Sequence, residues 1–342
     1  MTDRASFLRR AGIGAAGVSL GQLLGPAAAL AGDGGGDFAA HPRWRFVFVS
    51  HRTLDPLFVA TQFGAQDAAS LVKCSVQWTG SPRGDAGETV KALRAAIEGK
   101  ADGIAVSVLD RNAFRTELDA ARKAKIPVVA FNVDSRSGLG RLAYVGENPY
   151  AAGLRAGAEI ARLAPGRQVI LLAPESPEPW IARRLDGVVA GLRRTSKPPR
   201  GTVVRLKGLP QQAQIEAAFE SRPGARGLFA VDGNGTLAAG TVIKRLGLRA
   251  KGVHGGGFDL LPPGVALVAD GHLDFVVDQQ AYVQGFAPVL QLFLARISEG
   301  TITPWDTETS VLLRREDVEH LVETKSRFEG SSSRHDYPLR RA

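Results

Sequence analysis

A single cysteine, Cys74, is all the thiol chemistry the chain possesses. One cysteine excludes an internal disulfide and leaves no cysteine cluster to hold a metal. It lies in the alternating stretch Lys73-Cys74-Ser75-Val76-Gln77-Trp78, a strand pattern that predicts a buried, unreactive thiol. Aromatic residues are also scarce, 7% of 342 residues. The formal charge is +9, but residues such as Lys91, Arg94, Arg122, Lys123 and Arg155 are spread along helix-like stretches with Asp and Glu between them. Without a basic stripe that interleaves aromatics, no nucleic-acid partner is expected. His254 and His272 are too isolated to suggest zinc, and neither a metal nor a cofactor is predicted. From residue 44 onward there is no G-x-S-x-G elbow, no H-E-x-x-H helix and no phosphate loop G-x-x-x-x-G-K-[ST].

The first residues follow a different grammar. Arg4, Arg9 and Arg10 precede an uncharged Gly/Ala/Leu segment over 11–24, and small residues close on Ala29-Leu30-Ala31. A basic segment, a weakly apolar one and an A-x-A site in that order predict an export signal over 1–31, and hence a location in the periplasm or outside the cell envelope. The stretch Asp3-Arg4-Ala5-Ser6-Phe7-Leu8-Arg9 resembles the twin-arginine export motif, with Ala5 in the place of the second arginine. Gly12-Ile13-Gly14-Ala15-Ala16-Gly17 matches the dinucleotide fingerprint G-x-G-x-x-G, but an arginine pair precedes it where a strand is required, so it is discarded.

With 342 residues, 44% of them hydrophobic, the chain has more apolar content than one core usually organises. Short Val/Ile/Leu runs alternate with amphipathic Ala/Arg/Glu stretches. They predict strands at 44–50, 73–79, 102–108, 127–131, 141–145, 168–173, 202–206, 227–231, 252–257, 274–278 and 307–313. Helices are expected at 57–71, 86–99, 111–124, 150–163, 180–194, 211–221, 234–247 and 281–298. Such alternation gives right-handed βαβ units. About eleven strands are too many for one comfortable sheet, so two are expected. The tail over 324–342 is rich in Ser, Arg and Gly and is expected to be disordered.

In open parallel sheets ligands bind beyond the carboxyl ends of the strands. The residues at those ends are polar and mostly uncharged or acidic: Ser50 to Asp55, Asn132, Asp232, Asp259 and Gln279-Gln280. Carboxylates and amides suit the adjacent hydroxyls of a sugar, and leaving one unpaired is costly enough to discriminate between epimers. Any one of these Asp residues taken alone also fits a helix N-cap. The recurrence at five strand ends favours a binding site.

These strand ends resemble the type I periplasmic binding proteins of sugar ABC transporters, in the ribose and simple-sugar branch. The likeness covers about residues 44–320. Asp278-Gln279-Gln280-Ala281-Tyr282-Val283-Gln284-Gly285 is similar to the family's D-Q-x-P-Y-x-Q-G, with Ala281 for proline. Gly257-Phe258-Asp259 resembles its G-F-D, Phe229-Ala230-Val231-Asp232 its F-A-x-N/D, and Arg184-Leu185-Asp186-Gly187 its R-x-x-G helix. Ser50 through Asp55-Pro56-Leu57-Phe58 resembles the first loop. Asn132-Val133 stands where ribose binders carry Asp-Arg, and Leu57 where a second aromatic often stands, so ribose itself is not the implied ligand.

The resemblance implies two doubly wound parallel-sheet α/β lobes joined by a three-strand hinge. The first would hold 42–146 and 279–311, the second 147–278 and 312–323. It assigns polar recognition to Asp55, Asn132, Arg184, Asp232, Asp259 and Gln279, and ring stacking to Phe58. Trp180, one helical turn before Arg184, is either a second platform facing Phe58 across the cleft or packed under its own lobe. The expectation is a non-enzymatic, monomeric, exported protein that closes on a monosaccharide or polyol and is read by an ABC permease. Arg184→Ala or Asp259→Ala should then abolish ligand binding and leave the fold intact. Two alternatives remain: a sensor that presents its closed form to a kinase, and an exported α/β enzyme using His254, Asp259 or Asp232. A sugar-responsive repressor of this fold would carry a helix-turn-helix where this chain has an export-like segment.

Overall fold

The computed structural model describes residues 38–135 and 140–335; the expected export signal lies outside them. The chain begins with β1 (Arg45–Ser50), α1 (Leu57–Leu71), β2 (Ser75–Gly80), α2 (Ala86–Glu98), β3 (Gly103–Val106), α3 (Arg111–Lys123), β4 (Val128–Phe131) and β5 (Ala143–Gly146). There follow α4 (Pro149–Leu163), β6 (Gln168–Pro174), α5 (Pro179–Leu192), β7 (Arg200–Leu206), α6 (Gln212–Glu220), β8 (Ala225–Ala230), α7 (Gly233–Arg245), β9 (His254–Phe258), α8 (Pro262–Ala269) and β10 (Phe275–Asp278). The last elements are α9 (Ala281–Ile297), β11 (Thr307–Glu308), β12 (Val311–Leu313), α10 (Arg315–Val318) and α11 (His320–Glu323).

The strands form two six-stranded sheets, ordered β2-β1-β3-β4-β5-β11 and β7-β6-β8-β9-β10-β12. Neighbours run parallel except β12, which is antiparallel to β10. The side chains explain why these sheets need helices on both faces. Phe46 and Phe48 of β1 enter one apolar cluster with α1 and α9, while Val47 and Val49 enter another with α2 and α3. Val169 and Leu171 of β6 are divided from Ile170 and Leu172 in the same way. Strands apolar on both faces are the signature of buried parallel sheet.

The chain passes between the sheets after β5, after β10 and between β11 and β12. The single strand expected at 307–313 is in fact two. Thr307 and Glu308 pair with Val145 and Gly146, whereas Val311–Leu313 pair with Val276–Asp278 of the other sheet. Thr309 fixes this crossing, since its hydroxyl donates to the Gln279 carbonyl at 2.7 Å. The helix α8 is absent from the expected set because Pro262-Pro263-Gly264 reads as a loop, yet its prolines occupy the first turn, where no N–H partner is lost.

The tail also differs from expectation as far as residue 335. The Arg327 guanidinium bonds both carboxylate oxygens of Asp67 on α1, at 2.8 and 2.9 Å, and covers the ring of Phe63. Phe328 packs edge-on against Tyr282 of α9. A few specific contacts hold a segment whose composition alone predicts disorder. Cys74 is buried as expected, and burial pushes its thiol up to about 11.

Two helix pairs approach closely through glycine. A Cβ at Gly187 of α5 would lie 2.2 Å from the Tyr150 carbonyl of α4, and one at Gly285 of α9 would lie 1.8 Å from the Thr61 carbonyl of α1. Only a residue without a side chain lets the backbones meet at that distance.

Candidate ligand-binding site

In both sheets the strand order reverses beside the first strand of the lobe, which opens a crevice at the carboxyl ends. The two crevices share one cavity of about 460 Å³, within the usual range of small-molecule sites. Its lining includes Asp55, Phe58, Asn132, Trp180, Arg184, Asp232, Asp259 and Gln279. Residues separated by more than two hundred positions in the chain thus share one wall. Ser50 is the exception among the residues expected there. It is fully buried, and its hydroxyl accepts from the Arg52 N–H at 3.2 Å, so it shapes the loop and presents no surface to the cavity.

Local backbone geometry aims these side chains. Asn132 follows β4 with φ +61°, and Asp259 follows β9 with φ +67°. The left-handed region is open mainly to glycine and, less freely, to Asn and Asp. Asp232 ends β8 differently, as the N-cap of α7, accepting from the Gly235 N–H. The capping reading therefore applies, and the same residue lines the cavity.

The polar groups form one continuous network. Arg184 is 4% exposed; its Nε donates to Glu147 at 2.6 Å, its Nη1 to the Val231 carbonyl at 3.3 Å, and its Nη2 reaches Asp259 at 3.5 Å. Its guanidinium lies over the ring of Phe258. Burial works against its charge, but the Glu147 and Asp259 carboxylates more than offset that, and the group is held above its ordinary range. Gln279 donates to Asp259 at 2.7 Å and accepts from Asn132 at 2.8 Å. Gln284 extends the chain of bonds to Gln279 and Thr309 at the crossings. Burial, reinforced by the neighbouring Asp259 carboxylate, raises Asp232 to about 6. Asp55 is also raised, by burial first, with the Leu57 N–H opposing.

Phe58 and Trp180 do not face each other directly. His51 lies between them, its ring 5.5 Å from Phe58 and 5.6 Å from Trp180, edge-on to both. Burial lowers this imidazole to about 3, with Arg52 adding to the effect, so it is neutral across the physiological range. At the rim Arg52 of the first lobe forms an ion pair with Glu178 of the second, which gives the loop arginine a partner across the cleft.

Comparison with known proteins follows the same lines. A family model described as a periplasmic binding protein domain matches residues 46–296. The chain belongs to the periplasmic binding protein family. This family member is 37% identical over 316 residues, 87% of its length and 77% of the relative's, to the xylose/arabinose-binding protein XylF of Sulfolobus acidocaldarius. Its fold is similar to that of a sugar-binding protein of a sugar ABC transporter from Bacillus halodurans, with a TM-score of 0.71 and 20% identity over 81% of this chain and 99% of that one. The arabinose-binding protein AraP of Geobacillus stearothermophilus gives 0.68 and 23%, over 82% and 99%.

The lining of this periplasmic binding protein also includes His51, Glu147, Glu178 and Gln211, to which the sequence alone assigns no individual role. Two signals were present. His51 directly follows β1 and Glu147 directly follows β5, so both meet the strand-end criterion that selected the others. Gln211 and Glu178 lie just before helices, and only the folded chain brings them to the cavity.

Proposed function

We propose that this protein is the extracytoplasmic sugar-binding component of an ABC importer and that it holds one monosaccharide or polyol between its lobes as a monomer. The observation that carries this reading is the convergence of Asp55, Asn132, Arg184, Asp232, Asp259 and Gln279 on one cavity from strand ends of both sheets. Fixed acceptors and the partly exposed ring of Trp180 match a molecule with hydroxyls at its edge and C–H groups on its faces, while Phe58, 1% exposed, packs beneath His51 and does not offer the stacking face expected of it. Binding requires no covalent step. Ligand contacts that exist only when the lobes meet favour the closed form, which a permease then recognises.

The 37% identity to a xylose/arabinose-binding protein supports aldopentoses as the first ligands to examine. The test is a thermal-shift and calorimetric series with pentoses, hexoses, polyols and amino acids. A ligand at a hundred times its Kd should stabilise the protein by about 2.7 kcal/mol. Stabilisation by an amino acid, with none by any sugar or polyol, would overturn the reading.

A further inference from the structure

The network described above leaves specific atoms unused. Glu147 Oε2, Gln211 Oε1, Asp232 Oδ1 and His51 Nδ1 are buried without a hydrogen-bond partner among the described residues. All four residues line the same cavity, and His51, Glu147 and Gln211 are 4%, 3% and 6% exposed. Buried polar atoms are normally paired, so four around one cavity indicate contacts that a ligand completes. Two are carboxylate oxygens, which when ionised only accept, and the amide oxygen of Gln211 accepts as well. The cavity's buried cation, Arg184, is already engaged by Glu147, Asp259 and the Val231 carbonyl.

We propose that His51 and Gln211 are specificity-determining contacts which, together with the open oxygens of Glu147 and Asp232, select a ligand by the hydroxyl protons it donates. His51 belongs to the first lobe and Gln211 to the second, so the two reach the ligand from opposite sides. The wall is rich in acceptors, and each ligand hydroxyl turned toward it acts as a donor. Replacing such a hydroxyl by fluorine keeps the size and removes the proton. The proposal rests on the sugar-binding reading of this cavity and adds which residues choose among sugars.

The experiment is calorimetric titration of the purified protein with xylose and arabinose, and then with the monodeoxyfluoro analogues of whichever binds. His51→Phe and Gln211→Met, which keep approximate volume, are titrated with the same set. In the natural protein at least two positions should lose tenfold or more in affinity on fluorination. In each variant the parent sugar should weaken by tenfold or more, and the penalty for one particular fluorinated position should vanish. The natural protein's fluorosugar series needs no variant, so poor folding of either substitution leaves a readout. Sugar binding with the same analogue penalties in both variants overturns this proposal and leaves the functional reading standing. If neither these pentoses nor any other neutral sugar or polyol binds, both fall.

Discussion

Arg184 has its Nε 2.6 Å from a Glu147 carboxylate that is itself buried, and both side chains are nearly inaccessible to water. Removing one partner of such a pair leaves an uncompensated buried charge, which costs about 3–5 kcal/mol. Arg184→Ala is therefore expected to lower the unfolding free energy of the ligand-free protein by that order, measured by denaturant titration. This replaces the sequence-based expectation that the fold would be untouched. Asp232 behaves in the opposite way. Its folded value of about 6 exceeds the ordinary 3.8, so the folded state binds the proton more tightly and stability falls as pH rises through that interval. Asn is an equally good helix cap. Asp232→Asn should stabilise the ligand-free protein at pH 7 by on the order of 1 kcal/mol. Ligand affinity in the natural protein should fall as pH drops through about 6, because a protonated carboxyl accepts poorly, and the substitution should flatten that profile. His51, at about 3, contributes nothing in this range. Calorimetry between pH 5 and 8 checks both statements.

The helix pairs α4–α5 and α1–α9 place the site's side chains. Two of the sequence stretches that carry the family resemblance each contain a glycine from these pairs. Gly187, three residues after Arg184, meets the Tyr150 carbonyl, and Gly285, next to Gln284, meets the Thr61 carbonyl. A methyl group there collides with backbone, which cannot rotate aside. Gly187→Ala and Gly285→Ala are expected to cost about 1–3 kcal/mol or more each by overpacking, seen as a lower melting temperature, and to weaken ligand affinity because the helix that bears the polar residue is pushed outward. Unchanged melting in both would refute this packing role. The motifs were legible as strings in the sequence, but the partner of each glycine was not, since Thr61 and Gly285 are far apart along the chain.

The two lobes meet across the cavity mouth through Arg52 and Glu178, in addition to the three chain crossings. Both side chains are partly exposed, so the pair is worth at most about 1 kcal/mol. Glu178→Gln is expected to raise Kd by no more than about fivefold and to leave the unfolding midpoint unchanged, which separates a contact of the closed form from a contact of the fold. Titration and thermal melting together test that separation. The packed tail adds a fourth passage of the chain between the lobes. After β12, α10 and α11 lie on the second lobe beside α8, and Arg327 then anchors to Asp67 on the first.

Sequence alone determined the strand and helix alternation, the two-sheet architecture and the polar character of the strand ends, because hydrophobic periodicity and burial on both faces are written locally. The acidic or amide residue after β4, β8, β9 and β10 could be read off in order, and each lines the cavity. Tertiary structure decided what is not local. It split 307–313 between two sheets, placed His51 between Phe58 and Trp180, gave Arg184 a buried partner and ordered the tail through Arg327. Those outcomes depend on which distant backbone or side chain arrives at a given point, and a charge or ring acquires its energetic meaning only from the neighbour that folding supplies.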